Sequence, residues 1–239
     1  ADPPSCSSRP QSRARPGSRC SLLRPPPAPF ATAASTVSER TRIGINEDVG
    51  IDARAVVRVG VYSKSRRMAI SVGTGFVVSA SLGVVVTAAH VFDRPGQRLR
   101  ITLHDGTRLR GKTLGRQERA DYGLLKIDSD RKLPFVDMGE SSKLKRRQLV
   151  VATGHPGGLV EGRRPPLRFG HIVSTRDPFL QSDCVINEGD SGGPLFDLDG
   201  RVIGIHSRIP SLTTPNHHVP IERVRPNRNG RVAARSRGE

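Results

Sequence analysis

Short runs rich in valine and isoleucine recur through the middle of the chain, and this repetition constrains the fold more than any other feature. Polar or glycine-rich residues separate the runs, as expected of strands joined by turns. The runs lie at 55–62, 68–78, 83–88, 99–103, 122–127, 148–153, 167–174, 183–186, 195–198 and 202–207. No segment between them has the periodicity of an amphipathic helix of three turns. The sequence therefore predicts an all-β protein.

The runs form two series, separated by a segment that contains Pro134 and the basic patch 143–147. The simplest architecture is two β-barrels, at about residues 50–130 and 140–224. Aromatic residues make up only 4% of the chain and tryptophan is absent, so the core must consist mainly of valine, isoleucine and leucine. We expect a disordered leader over 1–41, one folded domain over 42–225 and a flexible basic tail over 226–239.

The formal net charge is +17, and both ends contribute to it. Six arginines face two acidic residues in 1–41, and four arginines face one glutamate in 226–239, yet the middle also keeps a positive excess. Such a field attracts acidic partners or surfaces. Aromatic residues do not alternate with the basic ones in the pattern that base stacking requires. We therefore expect a solvated basic surface and no specific nucleic-acid site.

The leader and the cysteines bear on the compartment. The arginine, serine and proline content of 1–38 suits a transit-type segment better than a secretory signal, and it equally suits a plain disordered extension. This favours an organellar or extracytoplasmic location without identifying one. Cys6 and Cys20 lie in the leader, so Cys184 is predicted to be a small buried side chain in a domain without an internal disulfide. No run approaches the roughly 20 apolar residues of a membrane span.

The segment Gly189-Asp190-Ser191-Gly192-Gly193-Pro194 is the most specific signal in the sequence. A nucleophilic serine needs an exposed hydroxyl and backbone N–H groups that converge on one point, and glycines permit the turn that this requires. We predict Ser191 as the nucleophile and Gly189, Asp190 and Ser191 as the oxyanion-hole segment, with the amides of Gly189 and Ser191 as donors. The alternative is a structural glycine-rich hairpin before the next strand.

Two further residues would activate a serine hydroxyl. His90 follows the run 83–88, and a neutral histidine accepts the serine proton. Asp121 directly precedes the run 122–127, where a carboxylate would orient the imidazole and stabilise the imidazolium. Asp93 and Asp105 are rival carboxylates, but neither leads into a comparable apolar run. The sequence therefore predicts His90 as the base and Asp121 as the group that orients it.

These residues and the segments around them resemble the trypsin-fold serine peptidases, and within them the HtrA/Deg branch. The order His, Asp, Ser is the trypsin-type order. The matching segments are 73–78, 87–91, 121–127, 181–194 and 202–205. The resemblance implies two six-stranded antiparallel barrels with the active site in the cleft between them, and hydrolysis of polypeptide substrates through an acyl-enzyme without metal or cofactor. Related proteases often form trimers, although no residue here indicates that assembly.

Two departures from the branch bear on regulation. HtrA/Deg proteins usually carry a PDZ domain after the protease domain, and the chain ends too soon for one. The residue before the serine is usually asparagine in that branch, whereas Asp190 is the trypsin-like choice. In trypsin-like zymogens that acid pairs with a newly freed N-terminus, which cleavage after Arg42 would create at Ile43. The alternative is that Asp190 accepts hydrogen bonds from nearby amides.

The resemblance also locates a substrate pocket. Val185 falls where a trypsin-like enzyme carries the acid that binds lysine or arginine, so basic P1 residues should be disfavoured. Val185, Ile186 and Ile209 suggest a shallow pocket for small aliphatic side chains, and Ser207 is predicted as a further substrate-binding residue. Glutamyl endopeptidases resemble this chain in having a histidine on the same strand. A protonated His206, helped by Arg208, is therefore the alternative, with a preference for P1 glutamate.

Two interpretations from different classes remain. The first is an active serine endopeptidase. The second is a non-catalytic adaptor with the same scaffold, whose basic surface holds an acidic partner. This second interpretation does not explain why the three predicted catalytic residues occur together. His155, His217 and His218 are read as structural, because no cysteine or acid is spaced to complete a zinc site with them.

Overall fold

The described residues form two closed antiparallel β-barrels, which confirms the predicted fold class. The computed structural model describes residues 50–62, 69–158, 164–176, 178–210 and 215–224. The helical elements in these ranges are short 3₁₀ turns at Ala53–Ala55, Ala89–Val91, Ser141–Lys143 and Ile221–Arg223. No helix in the described ranges has the length and apolar character needed to cross a membrane.

Each barrel contains six strands. Those of the first are β1 (Val56–Tyr62), β2 (Ala69–Ser79), β3 (Val84–Thr87), β4 (Arg98–Thr102), β5 (Arg108–Gln117) and β6 (Tyr122–Ile127), closed in the order β1-β2-β3-β6-β5-β4. Those of the second are β7 (Leu149–Thr153), β8 (Leu167–Ser174), β9 (Leu180–Ser182), β10 (Pro194–Phe196), β11 (Val202–Arg208) and β12 (Asn216–Pro220), closed in the order β10-β11-β12-β9-β8-β7.

Aliphatic side chains fill the barrels and the interface between them. Val59, Val85 and Leu125 are buried inside the first barrel, and a separate cluster that includes Val150 and Ile203 fills the second. A third cluster contains side chains from both barrels, such as Phe76 of β2, Leu124 of β6, Phe196 of β10 and Ile205 of β11. Burial of this shared apolar surface stabilises the contact between the barrels and so fixes the cleft at their junction.

Strands β5 and β12 were absent from the sequence prediction, and β5 shows why. Its inward-facing residues are Leu109, which is partly buried, and Gly111, Thr113 and Gly115, while Leu114 points outward and is 43% exposed. A Cβ atom at Gly111 would press against the carbonyl oxygen of Lys126 on β6, so the close approach of the two strands requires glycine there. The inward face of β5 therefore carries one large apolar side chain, which is too few to produce a detectable alternation. Strand β12 is short and rich in polar residues.

The predicted strand at 183–186 is wrong in position. The ladder ends with β9 at Ser182, which pairs with Ile172 of β8 and Asn216 of β12. Beyond it Cys184 and Ile186 are buried and Val185 is exposed, so burial alternates as in a strand although the segment has left the sheet. Cys184 is a free, fully buried thiol, and burial raises its pKa.

Candidate active site

His90 and Asp121 lie next to each other because β3 and β6 are antiparallel neighbours. Thr87 at the end of β3 pairs with Gly123 near the start of β6. His90, which follows β3, and Asp121, which precedes β6, therefore lie at the same edge of the barrel. The 3₁₀ turn Ala89–Val91 then directs His90 back toward β6. His90 Nδ1 lies 3.0 Å from Asp121 Oδ1 and 3.1 Å from Oδ2. The structure thus brings together two of the three predicted catalytic side chains.

Asp121 is held by donors from both barrels. Its side chain is 5% exposed, whereas that of His90 is 47% exposed. The His90 amide donates to Oδ1 at 3.2 Å, and the Ser207 hydroxyl of β11 donates to Oδ2. Burial pushes the pKa of Asp121 upward, but the hydrogen bonds from His90 and Ser207 outweigh it and leave that pKa below its usual value. Asp121 is therefore a carboxylate at neutral pH.

The backbone of Asp121 has a left-handed conformation, with φ of 54°. Its amide donates to the carbonyl of Glu118 at 3.2 Å, so the residue ends a tight turn directly before β6. Aspartate tolerates this region better than most residues with a side chain. The turn points the carboxylate away from its own strand and toward His90. This geometry gives a local reason for an acid at the start of β6.

The predicted nucleophile, Ser191, sits in a turn that packs on β2 and on the end of β3 in the first barrel. The carbonyl of Ser191 accepts a hydrogen bond from the Thr74 amide of β2 at 2.8 Å. A Cβ atom at the next residue, Gly192, would collide with Thr87 and the Thr74 carbonyl, and its φ of 86° also favours glycine. The turn can approach the end of β3, three residues before His90, only because Gly192 lacks a side chain.

The amides of the predicted oxyanion segment differ in their engagement. The Asp190 amide donates to the carbonyl of Asn187 at 3.0 Å, so it belongs to the turn itself. The Gly189 amide belongs to the same peptide group as the Glu188 carbonyl. That carbonyl accepts a hydrogen bond from the Gly157 amide at 2.8 Å, which fixes the orientation of the peptide group. Gly189 has φ of 94°, a conformation that glycine adopts without strain. The amides of Gly189 and Ser191 remain the candidate donors, while Asp190 belongs to the segment through the shape of the turn.

Thr74 links the serine turn to the first barrel, a role that the sequence analysis missed. Its hydroxyl donates to the Gly189 carbonyl at 2.7 Å and accepts from the His155 amide at 2.9 Å. Its carbonyl accepts from the Thr87 hydroxyl at 2.6 Å. The one available signal was Gly73-Thr74-Gly75, because glycines inside a strand indicate close approach of another backbone.

Comparisons with known proteins agree with this geometry. The family model of the trypsin-like peptidase domain matches residues 73–205, which include His90, Asp121 and Ser191. The chain belongs to the trypsin-like peptidase family. The match covers β2 through most of β11, and hence residues from both barrels and the turn between Asn187 and Gly193.

Curated relatives place this trypsin-like peptidase near the HtrA/DegP proteins. It is 40% identical over 144 residues to a probable periplasmic serine endoprotease DegP-like of Bartonella henselae, covering 59% of this chain and 28% of the relative. It is 38% identical over 167 residues to serine protease HTRA1B of Danio rerio, covering 65% and 34%. A DegP-like protein of Rickettsia prowazekii is 34% identical over 196 residues, covering 75% and 37%. The chain thus spans about a third of the length of these relatives.

An open cleft in the trypsin-like peptidase runs beside the His90–Asp121 pair. It contains Ser207, Arg208 and Ile209 of the predicted substrate-binding residues. Its lining residues are Ala89, His90, Arg116, Glu118, Asp121, Ser207, Arg208, Ile209, Pro210 and His217. Val185 is 62% exposed, but Ile186 is 6% exposed and packs in the core of the second barrel. Ile186 is therefore a core residue and not part of an open pocket.

His206 lies in a buried chain of hydrogen bonds instead of facing the cleft. Its Nε2 is 3.2 Å from the Thr153 carbonyl, and its Nδ1 is 3.0 Å from Nδ1 of His218. His218 Nε2 lies 2.7 Å from the Ser182 hydroxyl. One set of neutral tautomers satisfies every contact: His206 Nε2 donates to Thr153, His218 Nδ1 donates to His206, and Ser182 donates to His218. Both rings are fully buried.

The neutral state of His206 has a physical cause. Burial, followed by the positive charge of Arg168, lowers its pKa to about 3. Burial also lowers the pKa of His218 well below its usual value. A neutral imidazole that faces the barrel interior cannot supply the cation for a P1 carboxylate. The predicted glutamate-binding role of His206 is therefore not supported. The neighbouring His217 has different surroundings from His218, since its ring stacks on that of Phe179 with the ring centroids 5.5 Å apart.

We expect the buried His206 to make the protein less stable in acid. The unfolded chain protonates this histidine near its ordinary pKa of 6.5, whereas the folded protein does so only near 3. The unfolded state thus binds more protons between these values. Between pH 6.5 and about 3, the contribution of His206 should lower the free energy of unfolding by about 1.4 kcal/mol for each unit by which the pH falls. Above pH 6.5 this contribution should not change with pH.

Urea unfolding at a series of pH values from neutral to mildly acidic measures this slope. The variant His206→Asn should have a shallower slope than the wild type, because the group that takes up the proton is gone. The matched control is His104→Asn, at an exposed position, which should keep the wild-type slope. Identical slopes for all three proteins would contradict the assignment of acid sensitivity to His206.

Proposed function

We propose that the chain is a serine endopeptidase that hydrolyses peptide bonds through an acyl-enzyme intermediate. The observation that carries the proposal is the hydrogen-bonded pair of His90 and buried Asp121 beside a glycine-rich turn that contains Ser191. Family membership and the printed names of the relatives, which call them serine endoproteases or serine proteases, support the same activity.

In this mechanism the Ser191 hydroxyl attacks the carbonyl carbon of the scissile peptide while its proton passes to His90 Nε2. The bond formed is Ser191 Oγ to carbon, and the carbonyl oxygen becomes negative. The imidazolium then gives the proton to the leaving nitrogen, and the C–N bond breaks. Water then attacks the acyl carbon and gives a proton to His90. The bond between that carbon and Ser191 Oγ breaks, His90 returns the proton to Ser191, and the carboxylic acid product leaves. His90 Nδ1–H stays hydrogen-bonded to Asp121 throughout.

The amides of Gly189 and Ser191 are proposed to stabilise the oxyanion. Preorganised donors act where charge develops, and the loss of one typically costs about 10²–10³ in turnover. The support for these two amides is the shape of the turn, in which Thr74 holds the Gly189 and Ser191 carbonyls. Because these two carbonyls accept hydrogen bonds from Thr74 of the first barrel, few other conformations are open to the turn.

Asp121 contributes electrostatically. Its carboxylate accepts from the His90 amide, the His90 ring and the Ser207 hydroxyl, so the ring is held in the tautomer whose Nε2 is free to accept a proton. Ser207 was predicted as a substrate-binding residue. We propose that its hydroxyl instead serves to position Asp121, while its backbone borders the cleft.

For specificity we propose small aliphatic P1 residues. The support is the exposure of the aliphatic side chains of Val185, at 62%, and of Ile209, at 42% and in the lining of the cleft, together with the buried position of His206. Profiling of cleavage sites in a peptide library should give valine or alanine ahead of glutamate, lysine and arginine at P1. A dominant preference for lysine or arginine would contradict the proposal, and a preference for glutamate would transfer the role to Arg208.

The activity itself is tested with a fluorophosphonate, which reacts covalently with an activated serine. The full chain should become labelled and should cleave an unfolded polypeptide. A folded sample that shows neither reaction would favour the adaptor interpretation, in which the scaffold only binds.

A further inference from the structure

A second buried ion pair lies beneath the serine turn and has no part in the proton transfer. Asp190, directly before Ser191, has a fully buried side chain, and its Oδ2 lies 2.5 Å from Nη1 of Arg168. Arg168 belongs to β8, opposite Ala152 of β7, and its side chain is 15% exposed. Both charges therefore come from the second barrel, and each is largely removed from water.

Asp190 holds the turn through its backbone as well as its side chain. Oδ2 also accepts from the Asn187 amide at 2.8 Å, while the Asp190 amide donates to the Asn187 carbonyl at 3.0 Å. The Asp190 carbonyl accepts from the Gly193 amide at 2.8 Å. Any movement of this residue thus shifts both ends of the turn between Asn187 and Gly193, which carries the candidate oxyanion donors.

We propose that Arg168 is a positioning residue for this turn, because it supplies from within the barrel the positive charge that keeps Asp190 buried. The inference rests on the proposed function, since the turn matters catalytically only if Ser191 is the nucleophile. A carboxylate that loses its buried cation is strongly destabilised where it stands and tends to turn toward water. That rotation would carry the amides of Gly189 and Ser191 away from a common point.

Two observations indicate that the pair is specific. In the described part of the chain, Nε and Nη2 of Arg168 are buried without a hydrogen-bond partner, so Asp190 is the group that compensates this guanidinium there. A Cβ atom at Gly154 would collide with Oδ1 of Asp190, so the loop after β7 leaves room for the carboxylate only because that residue is glycine. The site is therefore shaped around the carboxylate.

The pair also answers the question of an activating N-terminus. Arg42 and Ile43, where cleavage would free an amino group for Asp190 under one of the two alternatives above, lie outside the described residues. Arg168 already stands at hydrogen-bond distance from the carboxylate that such an amino group would have to reach. We infer that the turn keeps its shape without cleavage at Arg42.

The test measures kcat and KM of the full chain with a small peptide substrate. Arg168→Leu should lower kcat about 100-fold and change KM less than about threefold, because oxyanion stabilisation acts in the transition state. Arg168→Lys, which keeps the charge, should recover at least about tenfold of that loss. Arg201→Leu is the matched control: its arginine is exposed and 3.8 Å from Asp199 in the same barrel, so both constants should stay within about twofold.

A double variant separates charge compensation from general damage. Arg168→Leu with Asp190→Asn removes both buried charges and should be at least about tenfold more active than Arg168→Leu alone. If Arg168→Leu fails to fold, Asp190→Asn alone provides the same test, since it leaves Arg168 unpaired and should also lower kcat. Thermal unfolding of each variant ensures that activity is compared per folded molecule.

Three outcomes would overturn the inference: unchanged kcat in Arg168→Leu, no gain in the double variant, or loss of activity in uncut Arg42→Gln chain. The last would show that Asp190 needs an external amino group. A wild type that neither cleaves nor reacts with the fluorophosphonate would instead defeat the proposed function. An active wild type with a fully active Arg168→Leu would defeat only the role of Arg168.

Discussion

Ser191→Ala should lower turnover by about 10⁶-fold and abolish fluorophosphonate labelling, the largest effect expected of any single substitution in this protein. Without the Oγ atom no acyl-enzyme forms, so the remaining groups can only polarise the substrate for attack by water. The side chain is half-buried, and its removal leaves the backbone contact between the Ser191 carbonyl and the Thr74 amide intact. The folded structure should therefore survive, as urea unfolding would verify.

The control is Ser81→Ala, which removes a hydroxyl from an exposed turn between β2 and β3. It should be labelled and should turn over like the wild type. Labelling that persists in Ser191→Ala would assign the nucleophile to another serine. The pattern that supports Ser191 is loss of both labelling and turnover in that variant alone.

Local patterns in the sequence account for much of the fold and of the candidate site. The apolar runs around β3 and β6 place His90 at the end of one strand and Asp121 at the start of the next one in the sheet, and pairing of Thr87 with Gly123 then brings the two together. Ser191 is detectable because its glycine neighbours are needed for backbone shape. In each case the signal lies within a few residues of the position.

Contacts between distant segments could not be predicted in this way. Ser207 lies 86 positions from Asp121 along the chain, and the Thr74 hydroxyl lies 115 positions from the Gly189 carbonyl. Each contact depends on how the two barrels pack, which no local pattern encodes. The same holds for Arg168, whose meaning depends on the buried carboxylate that it meets.

Burial, more than residue type, decided the errors about specificity. His206 directly precedes the cleft residue Ser207, and Ile186 directly follows the exposed Val185, so by chemistry alone either could line a pocket. Ile186 follows the alternation of an extended segment, which directs every second side chain to the core, whereas His206 lies on β11, whose residues from Val202 to Ser207 are all buried. Val185, between two buried neighbours, is the position that faces outward.

Asp121→Asn should lower kcat by about 10⁴-fold while leaving the shape of the site nearly unchanged. The carboxylate accepts three hydrogen bonds, from the His90 amide, the His90 ring and the Ser207 hydroxyl. An asparagine has one oxygen and one NH₂ group, so at least one of these three donors would face the NH₂ group, which cannot accept a hydrogen bond. If that donor is the His90 ring, the tautomer in which Nδ1 accepts from the asparagine NH₂ group is favoured. Its proton lies on Nε2, so Nε2 can no longer accept the proton of Ser191.

The rival carboxylates provide matched controls for that substitution. Asp105→Asn and Asp93→Asn make the same chemical change at exposed positions, and both should retain wild-type kcat. Ser207→Ala removes one of the three donors to Asp121 without changing the charge, so its loss of kcat should be smaller than that of Asp121→Asn. If Asp121→Asn stays within about tenfold of the wild type, the carboxylate is structural and His90 is oriented by another group. Because the Ser207 hydroxyl reaches Asp121 from the second barrel, a loss of kcat in Ser207→Ala would mean that the packing of one barrel on the other helps to hold the carboxylate that orients His90.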